Sequence, residues 1–199
     1  MPLEELTALL LLATAMSFSP GPNTTLSTAL AANRGLPAAL HFVLAVPVGW
    51  SLLLLLCAAG LGAVVMALPP LRWAIKAVGI GYLLWLALRL ARAGQLAQAD
   101  ARQLDVRFWQ GVALQFVNIK AWLLALTIVA GWVLGRSDSL QRLAVVLPVM
   151  VCFAFASNFT YAALGALLRG WLAQGQRLLW FNRCMALVLA LTAAWMLRA

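Results

Sequence analysis

The chain has 199 residues, of which 65% are apolar and 10% charged, whereas ordinary soluble domains are roughly 45–50% apolar. A water-soluble domain of this length could not hide so much apolar surface, so a bilayer must be its solvent, and no length remains for a soluble enzyme domain. The net charge of +9 does not point to nucleic acid, because the arginines (Arg34, Arg72, Arg89, Arg92, Arg107, Arg136, Arg142, Arg169) sit at the ends of apolar runs, where they anchor helices and set orientation.

The opening Met1-Pro2-Leu3-Glu4-Glu5 lacks the basic stretch and small-residue cleavage site of a signal peptide and leads directly into an apolar run. Six segments follow. The first runs from about Leu3 to Asn33, the second from Leu36 to Leu68, ending at Pro69-Pro70, and the third from Leu71 to Ala93. A polar connector, Gly94 to Arg107, separates these from a fourth segment at about Phe108 to Leu134, a fifth at Leu140 to Leu168 and a sixth at Gln176 to Leu197. No segment alternates with the period of a barrel strand. The spans are therefore expected to be helices, which satisfy their own backbone groups in lipid. The fold expected is an all-α polytopic membrane protein in one transmembrane domain over residues 1–199.

The connector divides six helices into three plus three. Asn23 and Asn118, and Pro47 and Pro148, echo one another across it. An odd number of spans per repeat makes the second repeat enter from the opposite side, the inverted-repeat design of many transporters. Repeat one is placed at about 1–93 and repeat two at about 108–199. With the N-terminus outside, the inner loops hold eight basic residues (Arg34, Arg89, Arg92, Arg102, Arg107, Arg169, Arg177, Arg183) against five outside (Arg72, Lys76, Arg136, Arg142, Arg198). This favours a periplasmic N-terminus.

Two interruptions carry the functional reading. In the first segment, Ser19-Pro20-Gly21-Pro22-Asn23 breaks a helix where it should be continuous. Pro20 and Pro22 remove backbone donors and free the carbonyls one turn upstream, and Gly21 allows close approach to the backbone. Asn23 and Thr24 suit the N-cap of a helix restarting at about Thr25, whose N-terminus would seat a carboxylate. A purely structural proline kink is the alternative. In the fourth segment, Gln115-Phe116-Val117-Asn118-Ile119-Lys120 places a full charge within a span. An ionised lysine at the bilayer centre costs roughly 2.5–3.5 kcal/mol. The acidic residues Glu4, Glu5, Asp100, Asp105 and Asp138 all fall in terminal or loop regions, which leaves Lys120 suited to an anionic group on a substrate or to helix-end carbonyls. Snorkelling to the interface is its alternative.

Non-helical backbone at membrane depth is tolerated where it lines a wet cavity, and two matched breaks point to a transporter's binding site. The substrate-binding residues expected are Pro20, Gly21, Pro22, Asn23, Thr24, Gln115, Asn118 and Lys120. Ser157, Asn158, Thr160 and Tyr161 in the fifth span either line the cavity or join helices by hydrogen bonds. Asn182 and Arg183 are placed at the interface, and His41 near a helix start is read as structural. Cys57, Cys152 and Cys184 lie in apolar surroundings without metal-type spacing, so neither a metal nor another cofactor is expected. One histidine and no membrane carboxylate cannot assemble the groups catalysis requires, so no enzyme is expected. Gly60 and Gly62 permit tight helix contacts, within one chain or between copies in a homo-oligomer.

With both breaks in view, the chain resembles the LysE/RhtB family of amino-acid exporters over essentially its full length. The matching features are Ser19-Pro20-Gly21-Pro22-Asn23, the third-segment run Gly79-Ile80-Gly81-Tyr82-Leu83-Leu84-Trp85-Leu86-Ala87, and Phe108-Trp109-Gln110-Gly111 leading to Asn118-Ile119-Lys120. Ala113 to Lys120 looks most like the cysteine/O-acetylserine exporter branch. Many relatives carry proline where this chain has Ile119, so the second interruption is expected to be a bend instead of a full break. Many also carry an acidic residue in the second span, where this chain has Ala45, Val46, Pro47 and Val48. That lowers the expectation of a dibasic substrate. The resemblance implies an inner-membrane exporter of neutral amino acids or derivatives, driven by the proton motive force. Export of another small solute or cation, or a non-transporting accessory subunit, are the rival readings.

Overall fold

A computed structural model describes residues 1–93 and 106–198. The connector assigned from sequence to 94–107, with Arg102, Asp100 and Asp105, lies almost wholly outside the described residues. Every regular element among the described residues is helical: α1 (Leu3–Phe18), α2 (Pro22–Arg34), α3 (Leu36–Ala58), α4 (Leu61–Ala67), α5 (Pro69–Arg92), α6 (Phe108–Val117), α7 (Ile119–Ile128), α8 (Ser139–Leu172) and α9 (Arg177–Arg198). A π-helical turn, Val129–Val133, continues α7.

α3, α5, α8 and α9 are each long and apolar enough to cross a membrane, and α6 with α7 and its π turn makes a fifth span bent by 68°. α1 and α2, at 16 and 13 residues, are each shorter than the ~20 residues a crossing needs. The expected second segment divides: Gly60, at φ 100°, turns the chain between α3 and α4. Gly35, at φ 85°, makes the turn from α2 to α3, a backbone conformation open to glycine at little cost.

α3 is the central helix. It has 56% of its most apolar stretch enclosed, against 22% for α8 and α9, whose outer faces (Leu164, Leu167, Leu187, Leu191) remain bare for lipid. Two packed cores flank it. One joins Leu26, Phe42, Leu83, Leu86, Leu189 and Met196; the other joins Leu9, Trp50, Leu53, Ile128 and Met150. Helices approach closely where glycine permits: an ideal Cβ on Gly79 would stand 2.1 Å from the Val117 carbonyl oxygen, and one on Gly165 would stand 2.2 Å from that of Thr28.

Two polar clusters tie distant segments together. At the N-terminal end of α1, Glu5 pairs with Arg142 and Arg136, its carbonyl accepts a 2.8 Å bond from the Trp132 indole, and Arg142 also pairs with Asp138 at 2.7 Å. The guanidinium of Arg142 holds the Asp138 carboxyl below the ordinary aspartate range. At the other cluster, the side-chain amides of Asn33 and Asn182 bond reciprocally (2.7 and 2.9 Å), and Asn182 also donates to the Ala93 carbonyl at 3.0 Å. Asn182 is fully buried between helices. Its amide needs partners because an unpaired buried polar group costs about 1–3 kcal/mol.

Candidate substrate-binding cavity

α1 stops at Phe18 because a residue before proline is pushed out of the helical region. Ser19, before Pro20, is extended (φ −73°, ψ 139°), and so is Gly21 before Pro22 (φ −174°, ψ −177°). Pro22 then opens α2, its missing N–H costing nothing at a helix start. The restart therefore comes three residues earlier than Thr25, and the cap differs from expectation. Gly21 is the N-cap residue. The Thr24 hydroxyl accepts from the Gly21 N–H at 3.0 Å and donates to the Gly21 carbonyl at 3.1 Å. Asn23 takes another role.

The second interruption is a true break, contrary to the mild bend expected from Ile119. Asn118 is extended (φ −90°, ψ 101°) and its side chain caps α7 by accepting from the Lys120 N–H at 3.1 Å. The Trp122 indole donates to the Phe116 carbonyl at 2.8 Å, taking up an acceptor freed at the end of α6. Side chains thus replace the helical bonds that proline would otherwise have removed.

The two breaks meet. Asn23 and Gln115 form a reciprocal amide pair (2.9 and 3.1 Å) between α2 and α6, and Gln115 is fully buried. The Lys120 ammonium donates to the Ser19 carbonyl at 2.8 Å and to the Ser19 hydroxyl at 2.7 Å, with the Pro20 carbonyl at 3.5 Å. Gly21 makes room for it: a Cβ there would lie 3.3 Å from both Cδ and Nζ of Lys120. No carboxylate takes part among the described residues; Lys120 instead caps the carbonyl end of α1, the negative pole of that half-helix. The Tyr161 hydroxyl takes the neighbouring Phe18 carbonyl at 2.8 Å. Two carbonyls beside the first break, at Phe18 and Ser19, are therefore engaged by the protein.

Between the breaks lies a half-open cavity of about 60 Å³, enough to admit water. Gly21, Pro22, Asn23, Thr24, Asn118 and Lys120 line it, together with Ser17, Trp50, Met150, Ser157 and Asn158. Of the eight residues expected from sequence, Gln115 stands behind the wall, holding Asn23, and Pro20 faces a second, wider opening of about 480 Å³ on the α9 side. Lys120, Ser19 and Gly21 border both spaces. Ser157 and Asn158 are buried cavity-wall residues, and Asn158 also accepts from the Ser27 hydroxyl at 2.9 Å. Their signal was present in the sequence: Ala154, Ser157, Asn158 and Tyr161 fall on one helical face, a small and polar stripe in an otherwise apolar span. The single histidine, His41, is exposed and remote from this lining. No three metal-ligating side chains cluster among the described residues.

The electrostatics favour an anion. α2 directs its N-terminal pole at the cavity, where the first turn of a helix leaves N–H groups without intrahelical partners. The Lys120 ammonium stands beside that pole, balanced only by neutral oxygens. The remaining wall is apolar or weakly polar, with the side-chain oxygens of Ser17, Ser157 and Asn158 on it.

Comparison with known proteins identifies the family. The model of the LysE type translocator family matches residues 14–199. A cysteine/O-acetylserine efflux protein of Escherichia coli O1:K1 / APEC is 30% identical over 181 residues, covering 88% of this chain and 86% of the relative. A protein of the same description from Klebsiella pneumoniae is 28% identical over 165 residues, 82% of this chain and 84% of its own. Another from Salmonella typhimurium is 28% identical over 151 residues, 76% and 77% respectively. No solved structure matches the chain. A helical bundle with lipid-facing apolar spans, matched along nearly its whole length, belongs to the LysE type translocator family and is a multi-pass protein of the bacterial inner membrane.

Proposed function

We propose that this protein exports a neutral amino acid or a close derivative, of the cysteine or O-acetylserine kind, from the bacterial cytoplasm, driven by the proton motive force. The observation that carries the reading is the Lys120 ammonium, held at the junction of two helix breaks by the neutral oxygens of Ser19 and Pro20. A substrate carboxylate displaces those oxygens and sits between Lys120 and the N-terminus of α2. The substrate ammonium then meets the Ser17 end of α1 and the oxygens of Ser157 and Asn158. The wall offers no carboxylate for a second ammonium, which disfavours lysine or ornithine.

In this reading α1 and α2 count together as one broken span, giving six spans in two inverted three-helix repeats with the N-terminus periplasmic. Alternating access comes from one repeat rocking against the other, with the cavity at their seam. The family names carried by the relatives support export, and the LysE/RhtB resemblance supports proton coupling.

The test is transport by the purified protein in proteoliposomes. Labelled cysteine or O-acetylserine should move when a pH gradient is imposed and stop with a protonophore, while lysine should not move. Absence of any amino-acid flux, or equal flux of lysine, would overturn the assignment. Flux indifferent to the protonophore would overturn the coupling.

A further inference from the structure

A separate groove of about 370 Å³ lies where α5 begins and α9 ends, away from the transport cavity. Three cations ring it: Arg72 and Lys76 from the first turns of α5, and Arg198 from the end of α9. Its floor is hydrocarbon, from Ile75, Leu123 and Leu126. Lys76 donates to the Leu197 carbonyl at 3.1 Å and stands 4.9 Å above the Trp73 ring. Among the described residues no carboxylate forms an ion pair with any of the three; Glu5 and Asp138 are committed to Arg136 and Arg142. Basic head positions over an apolar floor, at helix ends and beside a tryptophan, have the polarity of a phospholipid inverted in charge.

We infer that this groove is a binding site for one anionic phospholipid, its phosphate held by Arg72, Lys76 and Arg198 and its acyl chains laid along Ile75, Leu123 and Leu126. A zwitterionic lipid carries its own cation beside the phosphate, which offsets the attraction of the cluster, so it is held less tightly than the anionic lipid. A free phosphate ester gains the head contacts but none of the floor. Each exposed ion pair with the phosphate should be worth up to about fivefold in binding, so removing all three should weaken it roughly 100-fold.

Native mass spectrometry of the purified full-length protein in detergent tests this with phosphatidylglycerol, phosphatidylcholine and glycerol 3-phosphate as probes. Phosphatidylglycerol should be retained as a one-to-one adduct, phosphatidylcholine should be lost at the same activation energy, and glycerol 3-phosphate should not bind. The triple variant Arg72→Gln, Lys76→Gln, Arg198→Gln should lose the adduct. Arg89→Gln, Arg92→Gln, Arg183→Gln, which removes equal charge from other helix ends, should keep it. Arg72 and Arg198 are exposed, so their single substitutions should fold even if the triple does not, and each should weaken the adduct up to about fivefold. Undiminished retention in the Arg72, Lys76, Arg198 variants, equal loss in the control, or equal binding of phosphatidylcholine would overturn the site.

Discussion

Lys120→Ala is expected to cut export at limiting substrate at least about tenfold while leaving the protein at normal abundance in the membrane. The ammonium lost is, among the described residues, the one full charge on the cavity wall. A hydrogen bond to a charged group contributes about 1.5–3 kcal/mol, so transport at limiting substrate should fall roughly 10- to 100-fold. The fold should survive, because the partners released are the Ser19 carbonyl and hydroxyl, which the half-open, wettable cavity can hydrate. Lys120→Arg should not rescue. The lysine stem lies against Gly21, where even one added methyl would come within 3.3 Å of it, and the broader planar guanidinium demands a different approach to a carboxylate. Cells expressing the variant and challenged with toxic amino-acid concentrations give the measurement, with membrane abundance followed by immunoblot. Wild-type tolerance in Lys120→Ala would remove the lysine from the mechanism.

Gly165→Val is expected to cost the structure itself. An ideal Cβ at residue 165 would stand 2.2 Å from the Thr28 carbonyl oxygen and 3.0 Å from its carbon. Both are backbone atoms of α2, so no flexible side chain can yield; the helices must separate. Overpacking of this kind typically costs 1–3 kcal/mol, and about 3 kcal/mol or more is expected where backbone is struck. α2 and α8 both supply the cavity wall, so any protein that still inserts should also lose transport. Gly170→Val is the matched control: it lies in the same helix with nothing within 4 Å of its would-be Cβ. Thermal unfolding of the two purified variants compares them directly, and an unchanged midpoint for Gly165→Val would contradict the packing described.

Much of this was legible in the residues. Apolar length marked α3, α5, α8 and α9, and Pro20 and Pro22 marked the first break, because proline acts locally and its effect needs no tertiary context. The second break was legible as a site but not in its severity. Proline was looked for at residue 119, whereas Asn118 and Trp122 supply the interruption through side-chain bonds to neighbouring backbone. Such bonds do not show in a hydropathy pattern. The Asn23–Gln115 pair was hidden for a different reason: both residues stood out in the sequence, but only the fold brings their amides together. The partners of Asn182 were hidden in the same way, since Asn33 and the Ala93 carbonyl come from distant segments that only the fold places against it. Ser157 and Asn158 could have been weighted more heavily from their shared helical face.

The transported amino acid is held to occupy the small wet space between the two broken helices, against the ammonium of Lys120. Ser17 is half-buried on that wall, which makes it a reporter. With Cys57, Cys152 and Cys184 replaced, Ser17→Cys should react with a small hydrophilic thiol reagent, and saturating cysteine analogue or O-acetylserine should slow that reaction about tenfold. Lys120→Ala should erase the protection without changing the reaction in the absence of amino acid. No reaction at all, or protection that persists without the lysine, would show that the substrate travels elsewhere.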